Sequence, residues 1–195
     1  MVDFLIGLFL ATLIMALFAT RVDRLFAAYA FNSLMLGGLA LVIGSQLNDL
    51  AMLMTGGLTL VMKAIAIPYL LRYLTQKFGY ERQIVSDIKV QYTIMLIPAI
   101  LVFTFYLAEP ITHMIAGNAN YVAISISALF LSLVLMMESR NVIPKIVGFL
   151  MIENSLFLLG ISATDGMPML VELGIFFDLL MAVVVINLLF EKEGA

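Results

Sequence analysis

The chain is 195 residues long, 64% hydrophobic and only 12% charged, with a net charge of −3 and a mean hydropathy of +1.13. A soluble domain is nearer half apolar and a quarter charged, so water is not the main solvent of this chain. The lack of cysteine excludes disulfides, iron–sulfur ligation and thiolate metal sites, and the single histidine, His113, excludes a haem held by paired histidines.

Apolar runs of transmembrane length recur throughout, and helices are the open-chain element that satisfies every backbone group in lipid. The expected fold is therefore all-α and polytopic, with seven spans: Phe4–Thr20, Leu25–Ile43, Leu50–Leu71, Val90–Ala108, Tyr121–Met137, Val142–Ser162 and Pro168–Phe190. The first run begins almost at Met1, follows Asp3 rather than a basic leader and lacks a small-residue cleavage site, which reads as a retained span. GSQLND, EPITHMIAGNAN, ESRN and SATDGMP supply the interruptions. QKFGYERQIVSDIK, residues 76–89, is the one sizeable connection on its side and reads as a short interfacial helix or a docking surface.

Arg21 and Arg24 follow the first span; Arg72, Lys77, Arg82 and Lys89 the third; Arg140 and Lys145 the fifth; and Lys192 the seventh. The opposite connections contain no lysine or arginine, so the positive-inside rule predicts the N-terminus outside and the C-terminus cytoplasmic.

FNSLMLGG (31–38) in the second span and ENSLFLLG (153–160) in the sixth agree at five of eight positions. That echo suggests a duplicated three-helix unit, residues 1–75 and 121–195 of one membrane domain. The connection and fourth helix at 76–120 would join the two copies in parallel orientation.

Three ionisable residues fall deep within spans. Lys63 lies about 13 residues into the third, Glu153 about 11 into the sixth and Asp178 about 10 into the seventh, roughly 15 Å from the surface at ~1.5 Å per residue. Each opposes insertion by about 2.5–3.5 kcal/mol, so together they cost roughly 8–10 kcal/mol. A buried ion pair that pins helices would account for Lys63 and one acid, but two acids and one base leave a carboxylate over. A surplus buried carboxyl is tolerable with a proton or a cation bound, which points to a proton relay or to Na⁺ coordination. No metal site, cofactor or catalytic residue is expected in this chain, and no nucleic-acid partner.

The remaining polar residues are less specific. Asn154, like Asn32 and Ser33, reads as interhelical glue or as support for Glu153. Glu172 lies nearer the outer surface as a solvated end or an exit group. Glu138, beside Arg140, reads as an interfacial pair. Pro68 removes a backbone donor five residues after Lys63 and loosens the helix there. His113 reads as a loop residue, and the fourteen methionines as lipid-facing or core filler.

RNVIPKIVGFLMIEN (140–154), VELGIFFDLLMAVVVINLL (171–189) and VMKAIAIPYLLRYL (61–74) resemble, in order and spacing over nearly the whole length, the hydrogenase-4 component E family. These are membrane subunits of group 4 membrane-bound hydrogenases and formate hydrogenlyase complexes. The last three spans are also similar to the K subunit of respiratory complex I, whose pattern this chain matches at Arg140, Asn141, Gly148 and Glu153. That subunit's second buried glutamate has no exact counterpart, and Asp178 is the nearest residue to it. The first copy has Phe31 where the second has Glu153, and brings Lys63 instead.

The resemblance implies a prokaryotic inner-membrane subunit beside antiporter-like chains, with hydrogenase-type catalytic subunits docked on the cytoplasmic side. Glu153, Lys63 and Asp178 would form part of a lateral proton or Na⁺ path. A membrane anchor without conduction, and a subunit of a multi-chain cation/proton antiporter, are the other readings. An intramembrane aspartyl protease does not fit, because Asp178 is the one buried aspartate and no Gly-x-Gly-Asp occurs.

Overall fold

A computed structural model describes residues 1–77, 83–86, 88–110, 119–139 and 141–164. Within them the chain is helical: α1 (Val2–Leu17), α2 (Val22–Leu47), α3 (Leu50–Lys77), α4 (Val90–Ala108), α5 (Ala119–Glu138) and α6 (Val142–Thr164). Five of these, α2 to α6, are long and apolar enough to cross a membrane; α1, at 16 residues, is shorter. The seventh predicted span, Pro168–Phe190, lies outside the described residues.

Six predicted spans thus coincide with helices, and their ends differ for local reasons. The second span runs on to Leu47, where Asn48 takes a left-handed conformation (φ 52°) and the Asp49 N–H reaches back to the Gly44 carbonyl at 3.0 Å. Asp49 then caps α3, its carboxylate accepting from the Ala51 N–H at 2.9 Å. Pro144 falls in the first turn of α6, where a backbone N–H has no intrahelical partner to lose.

Packing centres on α2, which lies against α1, α3 and α6, while α5 contacts α1, α4 and α6. Glycine permits the tightest of these approaches. A Cβ on Gly148 of α6 would stand 2.9 Å from the backbone of Met136 on α5, so the two helices meet nearly backbone to backbone. Gly37 and Gly56 do the same for α2 and α3, with a Cβ on Gly56 only 3.1 Å from the Gly37 carbonyl oxygen.

The buried core runs between these helices through Phe9, Leu13, Phe26, Leu36, Leu131, Leu150 and Leu158. The outward surface is apolar as well, most clearly along α4, where Ile94, Met95, Val102, Phe103 and Tyr106 are all exposed. So much contiguous outward apolar surface marks a face that is covered by lipid or by another chain.

The described part of the long basic connection, residues 83–86 and 88–89, is a strap without helix, and the rest of the stretch expected to be an interfacial helix or a docking surface, 78–82 and 87, lies outside the described residues. Gln83 pairs with Arg21 and Ser86 with Ser139, both antiparallel. The Ile84 N–H donates to the Thr20 carbonyl at 3.1 Å, and the Asn141 side-chain amide donates to the Gln83 carbonyl at 3.2 Å. The connections that follow α1, α3 and α5 are thereby tied together at one end of the bundle, as the distribution of basic residues predicts. At the other end Tyr121 donates to Asp3 at 2.6 Å, holding the start of α1 against α5.

Candidate functional site

Lys63 sits in a π-helical turn, Leu60–Ala66, inside α3. There the backbone bonds reach five residues back: the Ile67 N–H donates to the Met62 carbonyl. A π-turn widens the helix and is enriched at functional positions. Pro68 follows at once, buried, and has no N–H to give. The carbonyl it would have engaged, four or five residues back, loses its helical donor beside Lys63. A wide turn and a missing donor together make this stretch of α3 locally polar.

The ammonium group of Lys63 meets Glu153 of α6, with Nζ 2.6 Å from Oε1. Their side chains are 4% and 3% exposed, so the pair is removed from solvent about midway along both helices. Such a pair is costly to bury; its Coulomb attraction offsets desolvation only with close geometry and further hydrogen bonding. The contact spans 90 positions of sequence and joins α3 to α6 past the central α2.

Next to Glu153, the amide of Asn154 turns to α2. It donates to Asn32 Oδ1 at 3.0 Å and to Ser33 Oγ at 2.9 Å. Asn32 in turn donates to the Phe9 carbonyl at 3.0 Å and to Thr12 Oγ1 at 3.2 Å. Four polar side chains, all but Thr12 fully buried, thus link α1, α2 and α6 in one chain of hydrogen bonds beside the ion pair. The Oδ1 atom of Asn154 is buried with no hydrogen-bond partner among the described residues. Hydroxyl contacts line the α5 interfaces: Thr104 with Ser127, and Ser132 with Ser155 at 3.4 Å.

The structure therefore brings together Lys63, Glu153, Asn154, Pro68, Asn32 and Ser33 from the residues singled out in the sequence. Asp178 and Glu172 lie outside the described residues, as do His113 and Arg140. Arg140, the expected partner of Glu138, lies outside the described residues; Glu138 itself ends α5. It is only 5% exposed, and its Oε1 lies 2.9 Å from Ser86 Oγ and 3.1 Å from Thr93 Oγ1, both hydroxyls. An acid at a helix end beside an arginine reads as interfacial in the sequence; the strap that covers it carries no matching signal. Thr12 and the Phe9 carbonyl were also missed, since a lone threonine in an apolar helix says little.

No family model matches the chain, and no solved structure matches it. It is similar to an uncharacterized protein of Mycobacterium tuberculosis, Rv0085, with 24% identity over 191 residues, covering 97% of this chain and 87% of that protein.

Proposed function

We propose that this chain is a membrane-embedded accessory subunit of a complex I-related redox assembly of the group 4 hydrogenase type, in which Glu153 and Lys63 carry protons or Na⁺. The observation that supports it most is the 2.6 Å contact between Lys63 and Glu153, buried midway along apolar helices on a π-turn next to a proline. The hydrogen-bonded chain serves an anchor as well as a relay, but an anchor has no use for the distorted turn, whereas groups of a relay must exchange partners without solvent.

The elementary step is a shift of one proton from Lys63 Nζ to Glu153 Oε1 along their hydrogen bond. It turns two opposed charges into two neutral groups, which a dry interior tolerates better. A change of charge in a neighbouring subunit tilts that balance, since Coulomb terms are weakly screened there. The proton then passes on, through water or through Asp178 and Glu172 of the seventh span. The chain itself performs no catalysis. Its partners are antiporter-like membrane subunits and cytoplasmic hydrogenase-type subunits, with the N-terminus outside and the C-terminus cytoplasmic in a prokaryotic inner membrane.

The competing role is a pure anchor, in which the pair only holds α3 to α6. Replacing a complete buried ion pair with apolar residues is often neutral or stabilising. The variant K63M/E153L separates the two. A relay subunit then assembles and supports electron transfer while ion translocation is lost; an anchor retains translocation, and that result would overturn the proposal.

A further inference from the structure

The outward faces of α1 and α2 enclose a groove of about 620 Å³ that the relay does not use. It lies in the half of the bundle nearer the basic end, between the later turns of α1 and the first turns of α2. Half-buried Ala19, Ala27 and Ala28 give the groove its depth, and the large, exposed Met15, Phe18 and Phe31 stand along its edges. A methyl group is too small to fill the outer space between two packed helices, so three alanines beside three bulky neighbours leave a channel open.

The two ends of the groove differ in chemistry. Thr12 is at the deep end, where its hydroxyl donates to the Phe9 carbonyl at 2.8 Å and so has no proton left for a ligand. Arg24 is at the mouth, exposed and in the first turn of α2. It makes no ion pair among the described residues. Asp23 precedes it, but successive helical residues point about 100° apart, and Asp23 does not line the groove.

Arg24 and Phe31 are nearly two helical turns apart, about 10 Å along the axis at ~1.5 Å per residue. In a membrane the groove therefore starts at the polar surface, where an arginine near a helix end keeps its head, and descends into the hydrocarbon. It opens at the end that the positive-inside rule assigns to the cytoplasm, and the leaflet there carries the anionic lipids.

We infer that the groove binds an anionic phospholipid, with the phosphate on Arg24 and one acyl chain between α1 and α2. The guanidinium fork matches two phosphate oxygens, and the phosphate supplies the negative charge that Arg24 lacks within the chain. The alanine, methionine and phenylalanine walls suit hydrocarbon and offer an acyl chain no polar group to desolvate. A flexible chain follows such a groove. A partner helix, about 10–12 Å across with its side chains, is wider than the ~8–10 Å between the axes of two packed helices. The inference needs only that these helices lie in a membrane, and it is independent of the relay.

The chain has no tryptophan, so M15W places a single fluorescent reporter at the groove. The full chain is reconstituted into vesicles of phosphatidylcholine with a minor fraction of phosphatidylglycerol, one lipid or the other carrying quenching bromine on its acyl chains. Quenching per brominated lipid then measures which class occupies the site. Phosphatidylglycerol should be favoured about fivefold, the factor one arginine contributes beside an anionic surface. That preference should survive R24K, vanish in R24Q, and be absent at V102W, an exposed reporter on α4. No preference at M15W, an equal preference at V102W, or a preference unchanged by R24Q overturns the inference. So does weak quenching by both lipids at M15W, which would show the groove covered by a second copy of the chain. Should R24Q fail to fold, A28L decides it: filling the groove while keeping Arg24 should lower quenching by phosphatidylglycerol several-fold, and unchanged quenching overturns the inference equally.

Discussion

Asn154 donates its side-chain amide to Asn32 at 3.0 Å, and the two residues hold the same place in the matching segments ENSLFLLG and FNSLMLGG. Equivalent residues of two parallel copies meet in this way when the copies are related by a two-fold axis along the membrane normal. The contact thus favours the reading of α1–α3 as one copy of a three-helix unit. It also sets the register between α2 and α6, on which the position of Glu153 depends.

Truncation of that contact, N154A, should cost about 0.6 kcal/mol and at most about 1.7 kcal/mol, the average and the maximum for hydrogen bonds between membrane helices. Asn32 keeps its donor bonds to the Phe9 carbonyl and Thr12, so within Asn32 the loss is confined to its acceptor oxygen, Oδ1. Equilibrium unfolding of the chain in bicelles checks this. A loss of several kcal/mol would mean that the asparagine supports more than this interface.

Breaking the ion pair should be far more severe than removing it whole. K63M leaves a buried carboxylate behind and should destabilise by about 3–5 kcal/mol, whereas K63M/E153L should lie within about 1 kcal/mol of the wild type or above it. A double-mutant cycle on unfolding free energies reads the coupling directly. Additive single effects would show that the two groups do not interact.

The close approach of α5 and α6 makes a covalent prediction. Because the chain has no cysteine, the pair M136C/G148C is clean; a Cβ at Gly148 stands 2.9 Å from that of Met136, so α5 and α6 part by about 1 Å to reach the usual ~3.8 Å of a disulfide, which then holds them there. Mild oxidation should give an intramolecular crosslink, read as loss of free thiol without dimer formation. The pair G57C/M136C should not crosslink, because a Cβ at Gly57 would have nothing within 4 Å. The reverse pattern would refute the packing.

What the sequence made legible follows from range. Apolar runs and their interruptions are local, so the six described helices fall where the spans are predicted, and α4 does so to the residue, Val90–Ala108. The distribution of basic residues likewise predicts which connections share an end, and the strap joins them. Depth of burial is also local, which is why Lys63 and Glu153 stand out at once.

Which acid meets Lys63 is not legible, because the order of helices in the plane is set by side-chain packing between remote segments. The structure pairs Lys63 with Glu153, 90 residues away, across helices held by the glycine-mediated contacts of α2 with α3 and of α5 with α6, while Asp178 lies outside the described residues. The π-turn has no composition of its own, and Pro68 marks it only in retrospect. The burial of Glu138 is not legible for a related reason: it is conferred by a strap fixed through backbone pairing, which side-chain chemistry does not encode.

Whether the buried pair moves ions is tested most directly by E153Q, which removes the charge and nearly keeps the shape. The assembled complex is placed in sealed vesicles, and ions translocated per electron are measured during turnover, with assembly verified on the same sample. The account predicts a ratio several-fold below that of the wild type while electron transfer continues. An undiminished ratio would contradict it.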